Sequence, residues 1–113
     1  MDLPIFENMG GMRMFYSCSS LTNLKFPVLH NIGSTYQFAD CVKLTTLILP
    51  YETAVVTLSS TNSFTNTPIE SGTGYIYVPQ TLIEEYKVAT NWSTLADQFR
   101  AIEDYPDICG GDA

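Results

Sequence analysis

The sequence predicts a β-solenoid: about three coils of roughly 23 residues, each with one short parallel strand, closed by a small helical C-terminal cap. Three observations predict it. A pattern recurs without a gap between residues 15–27 and 38–50, at an offset of 23. Within that pattern apolar residues alternate with polar ones, as on a strand with one buried face. After Pro79 the hydrophobic period lengthens to that of a helix.

The recurrence carries the most weight. Phe15, Cys18, Leu21, Thr22, Leu24 and Pro27 return as Phe38, Cys41, Leu44, Thr45, Leu47 and Pro50. The same offset takes Pro27, Asn31 and Gly33 back to Pro4, Asn8 and Gly10, with Met9 in the place of Ile32. Further on the register loosens, because Phe64 lies 26 after Phe38 and Pro79 lies 29 after Pro50. The last coil therefore contains insertions. A unit of this length falls within the range of leucine-rich repeats, about 20–29 residues, so the predicted fold is a leucine-rich-repeat-like β-solenoid.

Each element of the unit has a local reason. Leu24 and Phe26 alternate with Asn23 and Lys25, and Pro27 ends the strand because it has no amide to donate. Leu29 and Ile32 are the next inward positions, followed by a turn at Gly33. Phe38, Cys41 and Leu44 recur every third residue, the spacing of a tight helical turn laid along the core. Phe15, Phe38 and Phe64 are expected to form one interior ladder, and Leu24, Leu47 and Ile76 another.

The pattern F-x-x-C-x-x-L-T-x-L-x-[FL]-P resembles the BspA-like subclass of leucine-rich repeats found on bacterial surface antigens. The stretch from Phe64 to Ser93, with Gly72-Thr73-Gly74-Tyr75-Ile76-Tyr77-Val78-Pro79 and Asn91-Trp92-Ser93, looks like the segment closing such arrays. Together the two patterns cover about residues 3 to 99. The resemblance implies a solenoid used in adhesion or recognition and not in catalysis. The family's arrays are usually longer, and here the chain begins inside a coil at Leu3-Pro4.

The expected division is coils over 1–79, a helical cap over 80–102 and an acidic tail over 103–113. Thr81-Leu82-Ile83-Glu84 reads as a capping box, with Leu82, Tyr86 and Ala89 on one helical face. A second helix is expected from Thr94 to about Ile102, since Leu95, Phe99 and Ile102 share a stripe. Trp92, between the two, is the expected plug over the last coil.

Composition narrows the function. At 12.6 kDa the chain has room for one core, and 45% apolar against 15% charged residues marks a folding sequence. A net charge of −7 argues against a nucleic-acid partner, which needs a basic surface. No apolar run approaches the roughly 20 residues that span a bilayer, and Met1 is not followed by a secretion signal. A soluble chain without membrane insertion is expected.

Enzymatic machinery is not predicted. The lone histidine, His30, reads as a solvated loop residue. Asp40, Glu52, Glu70 and Asp97 occupy unrelated places in the coil, and Glu84-Glu85 suits the start of a helix. Gly72-Thr73-Gly74 precedes a strand and lacks the lysine of a phosphate loop. Cys18 and Cys41 share one slot in successive coils, with Thr67 in the third. Their Cα atoms are expected about 4.8 Å apart, within disulfide range, but in-register side chains hold the Cβ atoms wide of a relaxed bridge. Two small buried residues in a ladder is the favoured reading. Cys109 stands apart in the tail as a candidate for an intermolecular bridge. No cofactor or metal is predicted.

The expected function is a non-catalytic recognition or adhesion module of a bacterial surface or secreted protein, binding a protein or glycan. The alternative is a structural or assembly protein, such as a virion component, docking or self-associating through an uncapped first coil lined by Leu3, Phe6 and Met9. Strand alternation turns Asn23, Lys25, Thr46, Ile48, Tyr75 and Tyr77 outward in two columns. Of these Lys25, Thr46, Ile48, Tyr75 and Tyr77 form the candidate binding face, since tyrosine combines a large ring with a hydroxyl. Tyrosine and isoleucine also suit strands in their own right.

Overall fold

A computed structural model describes residues 15–33, 36–105 and 107. Leu3, Phe6 and Met9 of the expected first coil, and Cys109 of the tail, lie outside these residues. The chain is a small α/β arrangement of parallel strands and a few short helices. The strands are β1 (Asn23–Lys25), β2 (Asn31–Ile32), β3 (Thr46–Ile48), β4 (Thr57–Leu58), β5 (Tyr75–Val78) and β6 (Phe99–Ala101). They form a four-stranded sheet in the order β1-β3-β5-β6 and a two-stranded sheet of β2 and β4, parallel throughout. The short α-helices are α1 (Pro68–Ser71) and α2 (Ile83–Val88).

Strand register and sequence repeat coincide. Leu24 pairs with Leu47, Leu47 with Ile76, and Ile76 with Phe99, and all four side chains are buried. Behind this row the rings of Phe15 and Phe38 stack at 5.7 Å, and those of Phe38 and Phe64 at 5.2 Å. Both ladders thus fall where the repeat puts them. A buried residue of this kind covers its counterpart in the next unit, so one apolar choice at one slot is used again at each step.

The turn before each strand also repeats. Cys18, Cys41 and Thr67 each donate a backbone hydrogen bond to the aromatic residue three positions earlier, at 3.2 Å in every case. The residue just before each of them, Ser17, Asp40 and Asn66, has a positive φ of 59°, 63° and 62°. Asp and Asn tolerate that left-handed conformation better than most residues. Neighbouring turns are tied by the amides of Ser17 and Asp40, which donate to the carbonyls of Ala39 and Thr65, both at 2.8 Å.

The third unit holds its insertion in α1. Thr67 caps this helix by accepting from the Glu70 amide at 3.2 Å, while Glu70 reaches back to accept from the Asn66 amide at 3.2 Å. The arrangement is a capping box displaced by one residue, since Glu70 takes the amide preceding the N-cap while the Thr67 amide donates to the Phe64 carbonyl. At Thr81, where the sequence suggested a capping box, Gln80–Leu82 is instead a tight helical turn that runs into α2, whose N-terminus has no side-chain cap. Gly74 is required by close approach: a Cβ there would lie 2.9 Å from the Ile69 amide nitrogen and 3.0 Å from the Thr45 carbonyl.

The expected second helix is corrected. Ser93–Gln98 forms tight helical turns broken at Leu95, and Phe99–Ala101 is then the strand β6, paired to β5. The spacing of Leu95, Phe99 and Ile102 allows a helical stripe, but pairing along β5 supplies the backbone with partners that a short helix cannot. Phe99 and Ile102 consequently pack in different clusters, the first in the main core and the second on the outer side of the sheet. The turn before β6 copies the earlier ones. Trp92 donates to the Ala89 carbonyl at 3.1 Å, Leu95 to the Trp92 carbonyl at 2.8 Å, and Asn91 has φ 69°. Ala89 thus stands in the phenylalanine slot and Trp92 in the cysteine slot. Trp92 is fully buried, its ring 5.9 Å from Phe64 and 5.7 Å from Phe99.

Candidate functional site

The outer face of the four-stranded sheet contains the candidate binding residues in two rows. One row runs Asn23, Thr46, Tyr75; the other runs Lys25, Ile48, Tyr77, Arg100. Pleating sends these side chains to the side opposite the Leu24–Phe99 ladder. Lys25, Thr46 and Tyr75 are half-buried. The Arg100 guanidinium lies over the Tyr75 ring, 4.4 Å from its centroid, and donates to the carbonyls of Asp97 and Phe99 at 2.9 and 2.8 Å. Delocalised charge over an aromatic face is a favourable contact, and the guanidinium is fixed there.

Two of the five expected residues are not exposed. Ile48 retains 5% of its surface and Tyr77 4%. The chain leaves β6, turns tightly at Ile102–Asp104 and crosses back over this face. Ile102 and Tyr75 pack against Ile48 and Tyr77, and the Tyr105 ring meets Tyr77 edge-on at 5.3 Å. Alternation fixes the side of a sheet on which a residue stands; it carries no information about a later segment that covers that side.

Beside the face, at the C-terminal ends of β1 and β3, lies an open depression of about 440 Å³ lined by Lys25, Pro27, Pro50, Tyr51 and Glu52. Pro27 and Pro50 hold equivalent slots, so their rings form a repeated rim. His30 is exposed, as expected for a loop residue, with its ring 5.8 Å from that of Tyr51. The sequence signal for this hollow was the paired prolines, read only as strand ends.

The polar groups elsewhere are tied into turns. Asp40 and Glu70, expected at unrelated places, share Asn66: its side-chain amide donates to Asp40 Oδ1 at 2.7 Å and its backbone amide to Glu70 Oε1. Ser17 and Asp40, in the same left-handed conformation, give their amides to the carbonyl of the neighbouring turn; in the third unit the Glu70 carboxylate takes that place for Asn66. Cys18 and Cys41 are free thiols. Cys41 is buried, its Sγ donates to the Phe15 carbonyl at 2.8 Å, and burial pushes its pKa up, which keeps it a thiol and not a thiolate nucleophile. Among the described residues no group of three or more His, Cys, Asp and Glu side chains is placed to hold a metal ion. Among those residues, too, no helix is long and apolar enough to cross a membrane.

A second feature of the sheet system escaped sequence reasoning. The outer edge of β4 is closed by side chains. Tyr86 Oη accepts from the Val56 amide at 3.0 Å, Trp92 Nε1 donates to the Val56 carbonyl at 2.6 Å, and Asn91 Nδ2 donates to the Leu58 carbonyl at 2.6 Å. These groups stand where a further strand would pair. No protein-family model, curated protein or solved structure matches this chain.

Proposed function

We propose that this chain is a non-catalytic recognition module, a solenoid of leucine-rich-repeat coils of the BspA-like kind. In this reading it belongs to a bacterial surface or secreted protein and binds a protein or glycan through the outer face of its parallel sheet. One observation carries the reading: strand pairing follows the sequence repeat residue for residue, so Lys25, Thr46 and Tyr75 stand on one continuous face beside the depression at Tyr51. A lattice of this kind presents short side chains, a ring and a cation at fixed spacing, with little ordering left to do on binding. Chemistry that needs an activated nucleophile gains nothing from the buried, protonated Cys41 thiol.

The test is binding of the full chain to arrays of glycans and of extracellular proteins, repeated with a Lys25→Glu, Tyr75→Ala double variant. The expected result is a ligand whose affinity falls at least about tenfold in the variant, with the fold intact by circular dichroism. Equal affinity for every captured ligand would move the site off this face. The competing proposal, assembly through the segment carrying Leu3, Phe6 and Met9, predicts concentration-dependent self-association in sedimentation, lost on charging Phe6.

A further inference from the structure

The row Lys25, Ile48, Tyr77, Arg100 has an apolar centre with a cation at each end. The segment lying across it covers that apolar centre with apolar side chains of its own. Ile102 and Tyr105 are three residues apart, and the tight turn between them brings both apolar side chains down onto the sheet. Between them are Glu103 and Asp104, both exposed. Glu103 Oε1 accepts from the Gln80 amide at 3.0 Å, and the Tyr105 amide donates to the Ile102 carbonyl at 3.0 Å.

We propose that Ile102–Tyr105 is a self-ligand: a strap that occupies the recognition face and lifts to admit a partner segment of the same chemistry. That partner is an acidic peptide carrying an aliphatic residue and, three positions on, an aromatic one. The proposal rests on reading the outer face as the recognition surface. Its physical basis is the contrast between the strap and the strands beneath it. β5 is paired on both sides, to β3 and to β6, and its residues are almost all buried. The strap has Ile102 half-buried, its other residues exposed, and a side-chain contact to the Gln80 amide, at the start of the turn before α2, as a polar tie. Segments with few buried contacts and exposed backbone open at a fraction of the global unfolding free energy. Opening bares Ile48 and Tyr77 together, an apolar pair that a competing segment can cover again.

Hydrogen exchange on the unmodified full chain tests the strap directly. The Tyr105 amide is expected to exchange at least about a hundredfold faster than the amides of β5. Equal protection would mean that the strap lifts only when the protein unfolds, and would overturn the proposal. A labelled peptide Ile-Glu-Asp-Tyr-Pro-Asp is then titrated against the full chain and against its Tyr105→Ser variant. A strap closed most of the time lowers apparent affinity by the fraction open, so the variant is expected to bind about tenfold more tightly. A peptide with serine in place of Ile and Tyr is expected not to bind. Equal affinity of the two chains, or no binding to a variant whose β5 amides remain protected, would overturn the proposal. The exchange measurement needs no partner, so failure of the strap is separable from failure of the recognition reading.

Discussion

The regular units and the closing one solve the same problem with different atoms. In the regular units, backbone meets backbone: the Phe38 amide donates to the Ser63 carbonyl at 2.9 Å and the Asp40 amide to that of Thr65 at 2.8 Å. In the closing unit the edge of β4 is met by a phenol, an indole and a carboxamide from Tyr86, Trp92 and Asn91. A repeat satisfies its polar groups with its own copy, at no demand on side-chain identity. Termination has no copy to use. It places an acceptor and a donor on two large rings, which also exclude water, and takes the second donor from a carboxamide. The regular part is therefore held by apolar ladders, whereas the closing part combines apolar cover with a few obligatory hydrogen bonds.

The sharpest way to break the regular part is at its central ring. Phe38 is fully buried, between Phe15 and Phe64 and beside Phe26. Phe38→Ala is expected to cost about 3–5 kcal/mol through the cavity it leaves, read from the urea midpoint. An unchanged midpoint would mean that the ladder does not hold the units together.

Tyr86→Phe probes the closing unit, keeping the ring and removing one acceptor. The Val56 amide is then buried without a partner, at an expected cost of about 1–3 kcal/mol. The same residue sets an alkaline limit. Burial raises the Tyr86 pKa from 10.0 to about 12, outweighing the Val56 amide, which favours the phenolate. In the unfolded chain the phenol ionises near its ordinary value, so Tyr86 contributes fully below about pH 10. That contribution, on the order of 2–3 kcal/mol, is lost as pH rises toward 12. Stability measured from pH 9 to 12 is expected to fall more steeply in the parent chain than in Tyr86→Phe. Parallel curves would show that the phenol is not buried as described.

The smallest expected effect lies where the two regimes meet. Thr67 occupies the cysteine slot, caps α1 and donates to the Phe64 carbonyl at 2.7 Å. Thr67→Ala is expected to cost about 1 kcal/mol, and Thr67→Ser much less, by thermal unfolding. Equal losses in the two variants would mean that the slot matters for the methyl group and not for the hydroxyl.

Sequence alone determined the interior. Recurrence of the Phe15, Leu24 and Phe26 slots, at 23 residues between the first two units and at looser spacing in the third, names which residues are buried and against which copies, because a parallel pairing in register carries each slot onto itself. It also marked Trp92 as an interior residue and determined the side of the sheet on which Lys25, Thr46 and Tyr75 stand. Phe99 follows Ile76 by the same 23 residues, yet the stripe of Leu95, Phe99 and Ile102 points to a helix there, and only pairing with β5 makes it a strand. Only the tertiary structure decided that Ile102 and Tyr105 cover Ile48 and Tyr77, and that Tyr86, Trp92 and Asn91 close β4. Those contacts join segments with no periodic relation to each other, so no spacing encodes them. They follow from where the last strand releases the chain, and an edge or face left uncovered at that point binds whatever side chains come within reach.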